Sequence, residues 1–170
     1  MPGRLAALAR HLDRVNHAIG RAAAWAALAM VLLQFAVVLL RYVFGIGHVG
    51  LSEGVMWLNA VLFLLGGGYT LARDAHVRVD IWYRPAGPAA KAAVDLAGVM
   101  LFLLPLCLLT LWSGWPFFAQ SVAVLEGSKE TSGLPGVFLL KGLILVWALL
   151  LAIQAVAIAA SCLGRLGRAR

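Results

Sequence analysis

The stretch that decides the fold is Arg73 to Asp80, which reads R-D-A-H-V-R-V-D. It is the densest cluster of ionisable groups in a chain that is 63% hydrophobic. An apolar run ends directly before it, and another begins near Leu96. Charges so placed cannot lie in hydrocarbon, where each costs about 3 kcal/mol. They mark a point where the chain leaves a membrane.

Composition agrees. Only 12% of the residues are charged and the mean hydropathy is +0.94. A soluble domain carries about twice that charged fraction. The net charge of +7 does not point to nucleic acid. The basic residues sit at the ends of apolar runs and form no patch interleaved with aromatics. Cys107 and Cys162 lack a C-x-x-C spacing and read as small apolar fillers.

Working outward from the cluster, four runs are long enough to cross about 30 Å of hydrocarbon at about 1.5 Å per residue. They are Ala22–Leu40, Gly54–Ala72, Leu96–Phe118 and Val137–Ala160. The first is too long for a signal-peptide core, and it ends in L-L-R-Y-V-F without a small-residue cleavage site. Pro105 predicts a kink in the third. No internal repeat relates the two halves. The expected fold is an all-α integral membrane protein, one membrane domain over residues 1–170.

Lysine and arginine give the topology. Eleven of the fourteen lie before the first run, between the second and third, or after the fourth. Only Arg41, Lys129 and Lys141 lie on the other side. This asymmetry places both termini and Arg73–Asp80 in the cytoplasm. Residues 4–21 read as a separate element. Leu5, Leu8, Leu12, Val15 and Ile19 form one helical stripe, with Arg10, Arg14, His17 and Arg21 opposite. That is the pattern of an amphipathic helix on the inner membrane surface, basic face toward anionic headgroups. Its rival is a basic tail that serves only as a topology signal.

Chemistry-bearing residues are sparse. His11, His17, His48 and His76 all fall outside the runs, whereas a haem between helices takes ligands projecting from them. Ser113 and Ser121 have no nearby histidine, and no carboxylate pair sits at depth. No cofactor, metal site or enzyme signature is expected. At the helix ends, Ser52 is a candidate cap for the second run, with Glu53 at its positive end. Arg41 and Arg73 suit the negative ends of the first and second runs. Lys141 lies a turn inside the start of the fourth, where the dipole disfavours a cation. Two readings stand: snorkelling to the headgroups, or pairing with Glu53, Glu126, Glu130 or a partner's acid. Gln34, Asn59, Tyr69, Thr70, Thr110, Ser113 and Gln154 are expected to hydrogen-bond between helices. Gly66, Gly67 and Gly68 read as a close-packing site. Trp25, Trp57, Trp82, Trp112 and Trp115 fit interfacial belts. The outer loop Glu126–Gly136 is either a connector or a docking element.

The segments R-Y-V-F-G after the first run, S-E at the second, and F-L-L-G-G-G-Y-T-L-A-R-D-A-H-V-R-V-D-I closing it resemble a known family. They are similar to the small, DctQ-like membrane subunit of tripartite ATP-independent periplasmic (TRAP) transporters. The likeness continues more weakly through E-G-S-K-E-T-S-G-L-P-G-V-F-L-L-K. Gly54 departs from it, standing where many members carry a second acidic residue. The resemblance implies a non-catalytic scaffold in the bacterial inner membrane. Its partners are a large permease subunit that binds sodium, a periplasmic substrate-binding protein and membrane lipids. The implied transport is sodium-coupled uptake of an organic acid. With the charge layout, it implies that Arg73, His76, Arg78 and Asp80 fix the inner end of the second span. Arg41, Glu53, Glu126, Lys129 and Glu130, with Lys141 nearby, are implied in the outer partner surface. The alternatives are a respiratory membrane anchor carrying haem or quinone, and a small autonomous exporter. The exporter class depends on an embedded carboxylate.

Overall fold

The computed structural model describes residues 2–76, 81 and 83–167, with side chains from residue 11 onward. All regular structure among them is helical: α1 Pro2–Tyr42, α2 Val49–Ala72, α3 Pro88–Gly98, a π-helical turn Val99–Leu103, α4 Leu104–Ala123 and α5 Val137–Leu166. Four helical stretches are long and apolar enough to cross a membrane: 11–42, 49–72, 88–123 and 137–166.

Residues 4–21 are not a separate helix. They run unbroken into the first span, giving a 41-residue α1 about 60 Å long at ~1.5 Å per residue. No proline interrupts the segment, and Arg21-Ala22-Ala23-Ala24 are strong helix formers. The face that meets the bundle is also different. Asn16 and Gly20 are buried, and His17 turns toward α2 instead of standing among the outward basic residues. The spacing Asp13, Asn16, His17, Gly20 is itself a helical stripe, polar and small, and distinct from the leucine stripe expected to face the membrane.

The helix ends follow from local chemistry. Ser52 is not the cap of α2. The helix begins one turn earlier, at His48, whose backbone is extended. At the other end, Asp74 N–H bonds Leu71 O and Ala75 N–H bonds Thr70 O, with Asp74 left-handed at φ 55°. This is a Schellman stop, and Asp tolerates that conformation better than most residues. α4 ends the same way. Leu125 N–H bonds Val122 O, Glu126 N–H bonds Ser121 O, and Leu125 has φ 46°.

The Pro105 irregularity takes the form of the π turn. Leu104 N–H reaches back to Val99 O, five residues away. The wider turn accommodates the proline ring and missing N–H in the first turn of α4. Thr70, Thr110 and Ser113 do not bridge helices. Each hydroxyl donates at 2.8 Å to the carbonyl four residues back in its own helix. In hydrocarbon a hydroxyl takes the nearest acceptor, and that is the preceding turn. Only Gln154, of the in-span polar residues named above, has a cross-helix bond described.

α5 is the hub. Nearly half of its apolar window is buried, 44%, against 6% for α1 and for α2. It packs against every other helix, whereas α4 touches only α5 and the π turn. The buried face of α5 is mostly alanine, Ala148, Ala155, Ala157, Ala159 and Ala160, so neighbouring backbones approach closely. Large apolar side chains cover the outside: Trp112 is 84% exposed, Phe102 75% and Trp25 73%. Such a surface belongs in lipid or against a partner. Trp57 lies instead against Gly136, and Trp82 is outside the described residues.

The three consecutive glycines of α2 separate into distinct roles. A Cβ on Gly67 would stand 2.9 Å from Trp147 Nε1, and one on Gly68 2.5 Å from Asn16 Oδ1. Gly66 has nothing within 4 Å of that position. Gly68→Ala is therefore expected to destabilise the bundle by about 1–3 kcal/mol through overpacking. Gly66→Ala is expected to be neutral or stabilising by up to about 1 kcal/mol from helix propensity. Thermal unfolding of the two variants in one detergent checks the contrast.

Candidate functional site

Polar groups gather at the two ends of the bundle. At the end that carries the loop joining α4 to α5, the outer end on the lysine and arginine bias, Glu53 on the second turn of α2 accepts two bonds from that loop. One is from the Ser128 hydroxyl; the other, at 2.6 Å, is from Leu134 N–H. Ser128 N–H bonds Leu134 O, which closes the loop upon itself. Gly136, left-handed at φ 100°, turns it into α5.

A second clasp lies beside the first. Lys141 Nζ contacts Glu126 Oε2 at 2.5 Å, and the same oxygen accepts the Ser121 hydroxyl at 2.6 Å. The ammonium also sits 4.0 Å from the Phe117 ring centroid. Of the two readings for Lys141, pairing within the chain is the one realised. The Schellman stop after Ser121 sets the Glu126 carboxylate within reach. The Lys141 ammonium first, and then the Ser121 hydroxyl, hold Glu126 below the usual carboxylate value of 4.5.

These clasps spend Glu53 and Glu126 inside the chain and leave the loop tip, Lys129, Glu130, Thr131 and Ser132, exposed. Arg41 is exposed in the last turn of α1 and borders a shallow groove with Ile46, His48, Leu51 and Ser52.

Toward the opposite end, the inner one on the lysine and arginine bias, α5 and α1 share a polar chain. Gln154 donates to Asp13 Oδ1 at 2.9 Å and accepts from Asn16 Nδ2 at 2.8 Å; Asn16 also donates to Leu150 O at 3.3 Å. Asn16 is 1% exposed, and its Oδ1, against Gly68, has no hydrogen-bond partner. Arg73, the last residue of the α2 stop, donates to His17 Nε2 at 2.6 Å and lies over the Tyr69 ring. The sequence reading passed over Asp13, Asn16 and Gln154 as a set. Their signal was Gln154 deep in an apolar run and the matching polar stripe on α1.

A cavity of about 810 Å³ opens between the inner ends of α2, α3 and α5. Asp13, Asp95, Tyr83, Gln154 and Arg165 give it polar groups on otherwise apolar walls, and Tyr83 donates to Asp95 at 2.8 Å. His76 is exposed just past α2; Arg78 and Asp80 lie outside the described residues. Among the described residues no cluster of three or more His, Cys, Asp or Glu has metal-binding proximity.

Four apolar helices, an alanine-lined hub and polar clasps confined to the ends define a multi-pass membrane protein built for packing. The chain belongs to the DctQ component family of tripartite ATP-independent periplasmic transporters, which it matches over residues 30–165. No curated protein and no solved structure gives a significant match. The family sets aside the respiratory-anchor and exporter alternatives, and it fits a multi-pass protein of the inner membrane.

Because Glu126 titrates below its ordinary value in the folded chain, the clasp is complete above about pH 4.5 and is lost as pH falls through the lower folded value. Lys141→Met removes the largest cause and is expected to move loop release to higher pH. The mobility of a spin label at Thr131, followed from pH 7 to pH 3, reads the midpoint directly.

Proposed function

We propose that this chain is the small, non-catalytic permease subunit of a TRAP transporter. It binds a large permease subunit, which carries the substrate and sodium sites, and widens the static part of the membrane assembly. Both termini and the Arg73–Asp80 loop face the cytoplasm, and the Glu126–Gly136 loop faces the periplasm. There the loop helps dock the substrate-binding protein during sodium-coupled uptake of an organic acid. The family match over residues 30–165 carries this reading. The bias of lysine and arginine supports the orientation.

The loop geometry supports docking over a mere connector. Two clasps fix the loop base through Glu53 and Lys141, while Lys129 and Glu130 stay free to meet a partner. A pre-ordered rim of mixed charge loses little entropy on binding and steers encounter.

Co-expression with a large TRAP permease subunit and purification in mild detergent should yield a stable two-subunit complex. Sodium-driven uptake by this chain alone in liposomes would overturn the scaffold role. Reversing the rim with Lys129→Glu and Glu130→Lys together should leave that complex intact. It should reduce binding-protein-dependent uptake about three- to tenfold, more at low salt, since rim charges act mainly on the association rate. Unchanged uptake at limiting binding protein would remove the loop from the docking surface.

A further inference from the structure

The contact between Arg73 and His17 joins two helices 56 residues apart in sequence. It is an unusual pairing, a guanidinium with an imidazole. Arg has donors only, so His17 Nε2 must present a lone pair. A neutral ring with its proton on Nδ1 can satisfy this contact, and an imidazolium cannot. Tyr69 completes the joint: the His17 ring meets it edge-on at 5.2 Å between centroids, and the Arg73 guanidinium lies 5.3 Å from its centroid. Gly20, one turn further along α1, lies so close to Tyr69 that a Cβ there would collide with it. The two helices are thus as close at this level as their backbones allow.

We propose that His17 and Arg73 form a proton-sensitive latch at the inner end of the bundle. Protonating His17 replaces the acceptor lone pair with an N–H and a positive charge facing a guanidinium. Donor then meets donor and cation meets cation, and the latch opens. The surroundings offer limited compensation. On α1, Asp13 lies one turn before His17 but is engaged by Gln154, and Arg14 and Arg21 are exposed cations. From α2 come Tyr69 and Arg73, with Asp74 immediately after. α5 brings uncharged Gln154 at this level, and its nearest titratable groups, Cys162 and Arg165, lie two or more turns further along. α3 contributes Asp95 across the cavity, where Tyr83 bonds it. Protonation sets two cations 2.6 Å apart, whatever the more distant groups contribute.

Opening releases the Arg73 side chain from α1 while the Asn16–Gln154–Asp13 chain still ties α1 to α5 and seats it on Gly68. The motion is a local release of the residues that follow α2, from Arg73 to His76, and the bundle as a whole stays folded. Cytoplasmic acidification would then alter the inner face of the transporter without touching the outer clasps.

Distance measurement between spin labels at Arg14 and Ala75, with Cys107 and Cys162 replaced, tests this. The full chain is used in lipid nanodiscs, alone and in its complex. Between pH 8 and pH 5.5 the wild-type distance distribution should shift outward and broaden. A second pair at Tyr42 and Met56 should not change. His17→Gln keeps an acceptor for Arg73 but does not titrate, and should give the closed distribution at both pH values. Arg73→Ala should give the open distribution already at pH 8. A pH response in His17→Gln equal to wild type, or no response in wild type, overturns the latch.

Discussion

Gln154 is the group on which the arrangement depends. It lies in the C-terminal half of an apolar, alanine-rich helix, where a bare amide would cost several kcal/mol in hydrocarbon. Its oxygen takes Asn16 and its nitrogen gives to Asp13, so both halves of the amide are satisfied by α1. That requirement fixes the rotation and the height of α1 on α5. Asn16 is then aimed at Gly68, and only glycine leaves room for it there. Once Asn16 is seated, His17 and Gly20 necessarily meet Tyr69 and Arg73, because they share its helical stripe. Each hydrogen bond of this kind is worth only about 0.6 kcal/mol in a membrane. Their weight lies in specificity: any other register of α1 strands a buried amide.

The outer end is ordered by a different logic, that of chain reversal. α4 stops at a Schellman motif whose left-handed residue is Leu125, at about 1–2 kcal/mol relative to an unstrained residue. That stop delivers Glu126 to Ser121 and Lys141. A charge pair that bridges the last turn of one span and the first of the next resolves two problems together. It neutralises a lysine at the positive end of α5, and it fixes the short loop over the top of the bundle. Glu53 does the same from α2 by accepting from the loop's own backbone.

Much of this was legible in the sequence. The four spans, their approximate limits and the end of α2 at Arg73 follow from hydropathy and charge alone. Lys141 stood out because its charge opposed the helix dipole, and the structure supplies the counter-charge the anomaly demanded. The misreadings share one cause. A helical stripe shows which residues lie together but neither where the helix ends nor which face meets a neighbour, so residues 4–21 were read as a helix apart from the first span and His17 was grouped with the outward basic residues. In a membrane bundle, small and polar residues pack inward while leucines suit lipid. Ser52 misled similarly: capping preference is a local signal, and the helix starts a turn earlier, at His48, with Gly50 buried near Ser132 O.

The two ends also differ in what they leave free. α1, α2 and α5 form a triad tied by the inner polar chain, and α4 is joined only to α5. Gly114 against Leu145 and Gly142 against Phe118 mark where that single seam is tightest. The remaining surface of α4 carries Leu108, Leu109, Trp112 and Trp115 outward, with Phe102 of the π turn before it. A helix packed against a single neighbour, with a π turn and two prolines in its path, relies on that one seam for its position. Lys141, at the top of the α4–α5 seam, does more than neutralise a loop carboxylate: through Glu126 it ties the loop end of α4 to the one long helix that α4 packs against.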